Sequence, residues 1–140
     1  MLSENILDIL DNKHYSVIEF QNMIYPSVEN AFQASRFTDA KMRKKFTIMT
    51  PYEAIYKGNT FRTTVPDWQN TKYDIMYQLL CEKFKDPDLK NILLQTGSSP
   101  IYIFNNMHDK EWGICTCQHC KTTGANKLGK MLMLLREQLK

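Results

Sequence analysis

The chain has 140 residues, 43% hydrophobic and 24% charged, with only 5 glycines and 5 prolines, which suits one globular domain over residues 1–140 and excludes collagen-like or low-complexity sequence. Its net charge of +3, from 18 basic and 15 acidic residues, suits a phosphate-bearing ligand but does not announce a nucleic-acid binder. The longest apolar runs, Ile92–Leu94 and Met131–Leu135, fall far short of the roughly 20 residues that cross a bilayer. Met1–Asn5 has neither the basic start nor the apolar core of a secretory signal, so the expected location is the cytoplasm.

In chain order, the β-branched and aromatic residues of Ser16–Phe20 predict a short strand. After Tyr25-Pro26, Ser27 is a suitable N-cap, and Val28, Ala31, Phe32 and Ser35 fall on one face of a helix over Val28–Phe37. Apolar positions at Ile75, Met76, Leu79, Leu80 and Phe84 predict a helix over about Thr71–Phe84. A shorter helix restarts at Asp86-Pro87, carries Leu89, Ile92 and Leu93, and stops at Thr96-Gly97. Ile101–Phe104 reads as a second, more buried strand. A last helix from about Ala125 stacks Leu128, Met131, Leu132, Leu135 and Leu139 into a core-facing stripe. Helices around a few short strands give a helix-rich α+β fold.

Several residues suit chemistry. Glu29 falls in the first turn of its helix, where the dipole favours a carboxylate; the same position also simply helps a helix begin. Gln33 and Arg36 follow on nearly the same face, so a carboxylate, an amide and a guanidinium project together. Trp68 and Trp112 stand at segment ends, open to two readings: stacking on a base or packing in the core. Asp109 is both a natural turn residue and a carboxylate displayed after a strand. Gly124–Gly129 places glycines and Asn126 at a helix start suited to phosphate oxygens, without the Lys-Ser/Thr ending of a P-loop.

Four cysteines are present, three of them crowded into Cys115–Cys120, too close together to staple distant parts of a fold. His119 adjoins Cys120, an awkward neighbour for binding one ion, and Cys81 completes a ligand set only through tertiary approach. His14 and His108 have no partner at a recognisable spacing. The cysteines read as thiols or ligands, with small buried or loop thiols the favoured reading, so no metal and no cofactor are expected.

Together these segments resemble the NADAR (YbiA-like) family of N-glycosidases. The resemblance rests on Tyr25-Pro26-Ser27-Val28-Glu29 and the helix through Arg36-Phe37, then on Ala54–Gly58, Asp67-Trp68, Met76 with Lys83-Phe84, and Leu93–Gly97. It continues with Asp109 and Trp112-Gly113, then Gly124, Asn126, Leu128-Gly129, Leu132-Met133 and Arg136. It implies a compact, helix-rich α+β domain that hydrolyses an N-glycosidic bond. Related proteins cleave ribosylamino-pyrimidine phosphates of riboflavin biosynthesis or remove ADP-ribose from guanine. Carried over by position, Glu29 and Asp109 are the catalytic candidates, and Arg36, Trp68, Trp112, Gly113 and Asn126 the substrate-binding ones. Arg36 stands where the family usually has lysine and Asn30 where it usually has histidine. A glutamate before the Asp109 block is replaced by Ile103 or Phe104, and the family's opening motif is only echoed in Leu7–Leu10.

The expected partner is a small nucleotide-like substrate or an ADP-ribosylated guanine in nucleic acid, with no membrane contact. Glu29 or Asp109 would activate water and stabilise positive charge on the ribose, the other orienting sugar hydroxyls. Arginine clamps phosphate but cannot act as an amine nucleophile, so the alternative is a catalytically impaired relative that binds without turnover. A third reading is a zinc-dependent nucleic-acid module built on the cysteines and Lys41–Lys45.

Overall fold

The computed structural model describes the whole chain, Met1–Lys140. It contains seven helices and two small two-stranded sheets, the helix-rich α+β class expected. Two compact units are present: Asn12–Asp86, and Met1–Asp11 together with Pro87–Lys140. No helix is long and apolar enough to cross a membrane.

The Asn12–Asp86 unit begins with a hairpin of β1 (Ile18–Phe20) and β2 (Met23–Tyr25), paired antiparallel with Ile18 opposite Tyr25. Gln21 and Asn22 form its two-residue turn with φ of 50° and 64°, the positive pair that matches strand twist. Four helices follow: α2 (Val28–Ala34), α3 (Ala40–Lys45), α4 (Pro51–Thr60) and α5 (Trp68–Lys83). α2 is the centre of the unit, packing on the other three helices and on both strands. That position explains why six of its seven residues are buried, Glu29 being the exception. Gly58 of α4 allows the close approach, because a Cβ there would overlap the Gln33 side chain.

The other unit contains α1 (Glu4–Leu10), α6 (Pro87–Gln95), β3 (Phe104–Asn105), β4 (Ile114–Cys115) and α7 (Lys127–Leu139). α6 packs against both α1 and α7. Leu10, Leu93, Ile101, Leu128, Leu132 and Leu135 are all buried. Arg136, 4% exposed, donates through Nη1 to Thr96 Oγ1 at 2.9 Å and to the Ser99 carbonyl at 2.8 Å, fixing the loop after α6.

The structure differs from the sequence reading in places with identifiable causes. The strand expected at Ile101–Phe104 shrinks to β3, although Ile101 and Ile103 are buried between exposed neighbours as in a strand. Its pairing partner is partly a side chain: Asn126 Oδ1 accepts from the Ile103 N–H and Asn126 Nδ2 donates to the Ile101 carbonyl. α5 starts at Trp68 rather than Thr71, after Asp67 in a left-handed conformation. α2 ends at Ala34, with Ser35 as its C-cap, short of Phe37. α1, α3 and α4, with β2 and β4, had no counterpart among the expected elements. Lys41–Lys45, read as a basic patch, belongs to α3, where Arg43 donates to the Phe37 and Thr38 carbonyls.

Candidate active site

The candidates on α2 are set by the start of that helix. Ser27 Oγ accepts from the Asn30 N–H at 3.1 Å and donates to Asn30 Oδ1 at 2.6 Å. Asn30, fully buried, spends both amide hydrogens on the carbonyls of Phe46 (2.9 Å) and Met49 (2.8 Å). The cap therefore also ties α2 to the connection between α3 and α4. Glu29 is half-buried in the first turn. Its backbone N–H donates to the Asn12 carbonyl at 3.0 Å, and its Oε1 accepts from Gln33 Nε2 at 2.8 Å. The amide orients the carboxylate and holds it at a fixed point.

Arg36 and Trp68 come together as a pair, with the guanidinium carbon 5.7 Å from the indole centroid. Arg36 also donates to the Gly58 carbonyl (3.3 Å), Asn59 Oδ1 (3.2 Å) and Thr63 Oγ1 (3.5 Å). Trp68 is 5% exposed and packs against Phe32 at 5.2 Å between centroids. The guanidinium clamps α2 to α4, and the indole packs in the core beside it. Lys72, one helical turn after Trp68, is a buried cation the sequence reading passed over, donating to Gln69 Oε1 at 2.7 Å.

In the other unit, Asp109 caps a tight turn. Its Oδ1 accepts from the Glu111 and Trp112 N–H groups, both at 3.0 Å, and the other carboxylate oxygen takes no part in these bonds. Asn105 braces the same turn, donating to the Asp109 carbonyl at 2.8 Å and accepting from the Asp109 N–H at 3.2 Å. The turn reading of Asp109 is thus realised, in a way that leaves half of the carboxylate over. Trp112 is half-buried beside it.

Gly113 and Asn126 are both packed tightly into the framework of this unit. Gly113 is buried, and a Cβ on it would lie 2.6 Å from the Ile103 carbonyl oxygen. Asn126 is 5% exposed, with its side chain used on Ile101 and Ile103. Gly129, one turn further, presses against the same Ile101 carbonyl and the Asn126 side chain.

The cysteines are free thiols. Cys81, on α5, has its pKa raised by burial. Cys115, Cys117 and Cys120 gather around an imidazole, and it is that of His108 rather than of the adjacent His119. Spacing could not reveal this, because His108 reaches the cluster by the turn that Asp109 caps.

The family model of the NADAR domain matches residues 3–140. The chain belongs to the NADAR family. It is 32% identical to an N-glycosidase of Nostoc punctiforme, over 88% of this chain and 80% of that protein. It is 31% identical to the N-glycosidase YbiA of Escherichia coli, over 87% of this chain and 75% of that one. The riboflavin biosynthesis protein PYRR of Zea mays is 32% identical over 82% of this chain, which spans only 20% of PYRR. The solution structure of E. coli YbiA superposes with a TM-score of 0.78 at 30% identity, covering 94% of this chain and 77% of that one.

Within this NADAR chain, Asn30 uses its side chain for capping and for two backbone carbonyls, and Arg36 places a positive charge whose donors reach α4.

Proposed function

We propose that this NADAR chain is an N-glycosidase that hydrolyses the bond between a ribose phosphate, ADP-ribose included, and a nucleobase-like heterocycle. The observation that carries the reading is its 31–32% identity to proteins named N-glycosidases over nearly nine-tenths of its length. The riboflavin-biosynthesis names of two further relatives, from Zea mays and Vibrio vulnificus, favour a ribosylamino-pyrimidine phosphate as one substrate; ADP-ribosyl-guanine is the other.

Breaking a C1′–N bond develops positive charge on the ribose, which a carboxylate stabilises while water attacks. Glu29, oriented by Gln33, and Asp109, with one oxygen outside its turn, are the two groups suited to this task. Trp112 is the aromatic we assign to the heterocycle, and Arg36, Trp68, Gly113 and Asn126 remain the other residues we assign to binding or positioning the substrate. Side-by-side hydrolysis of the pyrimidine intermediate and of ADP-ribosyl-guanine DNA tests this, followed by release of the free base. Turnover of neither substrate overturns the reading.

Arg36 supports a second reading, binding without turnover, because a guanidinium offers no amine nucleophile where the family usually has one. Arg36→Lys separates the two. A large gain in turnover marks the present chain as impaired, whereas unchanged or lower turnover leaves the carboxylates as sufficient.

A further inference from the structure

We propose that His108, Cys115, Cys117 and Cys120 form a structural zinc site, a role separate from glycosidic chemistry and not dependent on it. The four ligand atoms all lie within 4.8 Å of one another. His108 Nδ1 is 3.3 Å from Cys117 Sγ and 3.6 Å from Cys120 Sγ. A tetrahedral zinc, with Zn–S of about 2.3 Å and Zn–N of about 2.0 Å, sets its ligands about 3.5–3.8 Å apart, so the cluster needs only small adjustments to close on an ion.

Further features agree. Cys117 and Cys120 have C-x-x-C spacing, and the Cys120 N–H donates to Cys117 Sγ at 3.3 Å, which turns both sulfurs toward the same point. A disulfide would use two of the thiols and leave a third beside an imidazole, whereas a soft divalent cation uses all four groups at once. Three thiolates and a neutral imidazole fill a tetrahedron and leave no position for water, which makes the site structural rather than hydrolytic. Binding releases three protons, one from each thiol.

The site also has a clear mechanical consequence. His108 immediately precedes Asp109, and Cys115 lies on β4 just beyond Gly113. The ion would fasten both ends of the segment carrying Asp109 and Trp112, a segment otherwise held by hydrogen bonds such as those of Asn105.

The test is metal analysis of the full chain, produced with added zinc and purified with reductant but no chelator. One zinc per chain is expected in the wild type, in Cys81→Ser and in His119→Ala, with less than a tenth of that in Cys117→Ser. His108→Ala should bind weakly and lose zinc to a mild chelator, and His108→Cys should restore one zinc per chain even if the alanine variant is poorly soluble. Cobalt(II) added to the zinc-free chain should give thiolate-to-metal charge-transfer absorption that excess zinc abolishes. Wild-type protein without stoichiometric zinc, zinc retained in Cys117→Ser, or zinc lost in His119→Ala would each overturn the assignment.

Discussion

In the Asn12–Asp86 unit the candidate carboxylate stands on a regular helix buried on nearly every side; in the other unit it stands on an irregular turn held by side chains. Glu29 inherits its direction from α2, which is fixed by the Ser27 cap, the Asn30 bonds and packing against three other helices. Asp109 inherits its direction from Asn105, from backbone N–H groups that it caps itself, and from glycines that let the chain pass close to Ile101 and Ile103. A helix distributes its constraints over many weak contacts, so single losses are absorbed; a turn concentrates them in a few bonds and contacts, so single losses are felt.

The largest effects should come from the two carboxylates, and amide substitutions sharpen the contrast. Asp109→Asn retains an oxygen that can cap the turn, and Glu29→Gln retains the helix, so each should melt close to the wild type while losing about 10²–10⁴-fold in hydrolysis rate. Near-normal rates in both would remove the mechanistic assignment. Next is Gly129→Ala, whose methyl group overlaps the Ile101 carbonyl and Asn126; a loss of about 3 kcal/mol or more is expected from chemical denaturation. Asn30→Ala takes the amide partner from the buried Phe46 carbonyl and the part-buried Met49 carbonyl and should cost about 2–4 kcal/mol. Ser27→Ala removes the cap together with the hydrogen bond to Asn30 Oδ1 and should cost about 1–2 kcal/mol.

The smallest effect is on pH dependence. Burial raises the Tyr25 pKa above 10.0, partly opposed by the nearby positive charge of Arg43. The unfolded chain therefore ionises first: the stabilisation is complete below pH 10 and is lost as pH rises through the folded pKa. Denaturant midpoints compared at about pH 9 and about pH 11 should fall more in the wild type than in Tyr25→Phe. An equal fall in both would place the alkaline sensitivity elsewhere.

Much of this was legible in the chain because it is local. Ser27 and the apolar spacing after it fixed the start of α2, Pro87 and Gly97 bracketed α6, and the Leu128–Leu135 stripe marked α7. One local signal was passed over: Thr50-Pro51-Tyr52-Glu53 is a capping box with proline at the first helical position, and it starts α4. Others were hidden by size, since α1 and α3 are too short for periodicity to stand out and β4 is only two residues.

What the sequence determined by itself was the presence of α2, α5, α6 and α7, the place of Glu29 in a first helical turn and the turn-forming habit of Asp109, because caps, periodicity and short-range hydrogen bonding act within a few residues. Tertiary structure decided the rest. It buried Trp68 beneath a clamped Arg36, spent Asn126 on the backbone of Ile101 and Ile103, and brought His108 to three thiols. Those outcomes depend on which distant groups compete for the same space and the same hydrogen bonds, and residue spacing carries no record of that competition.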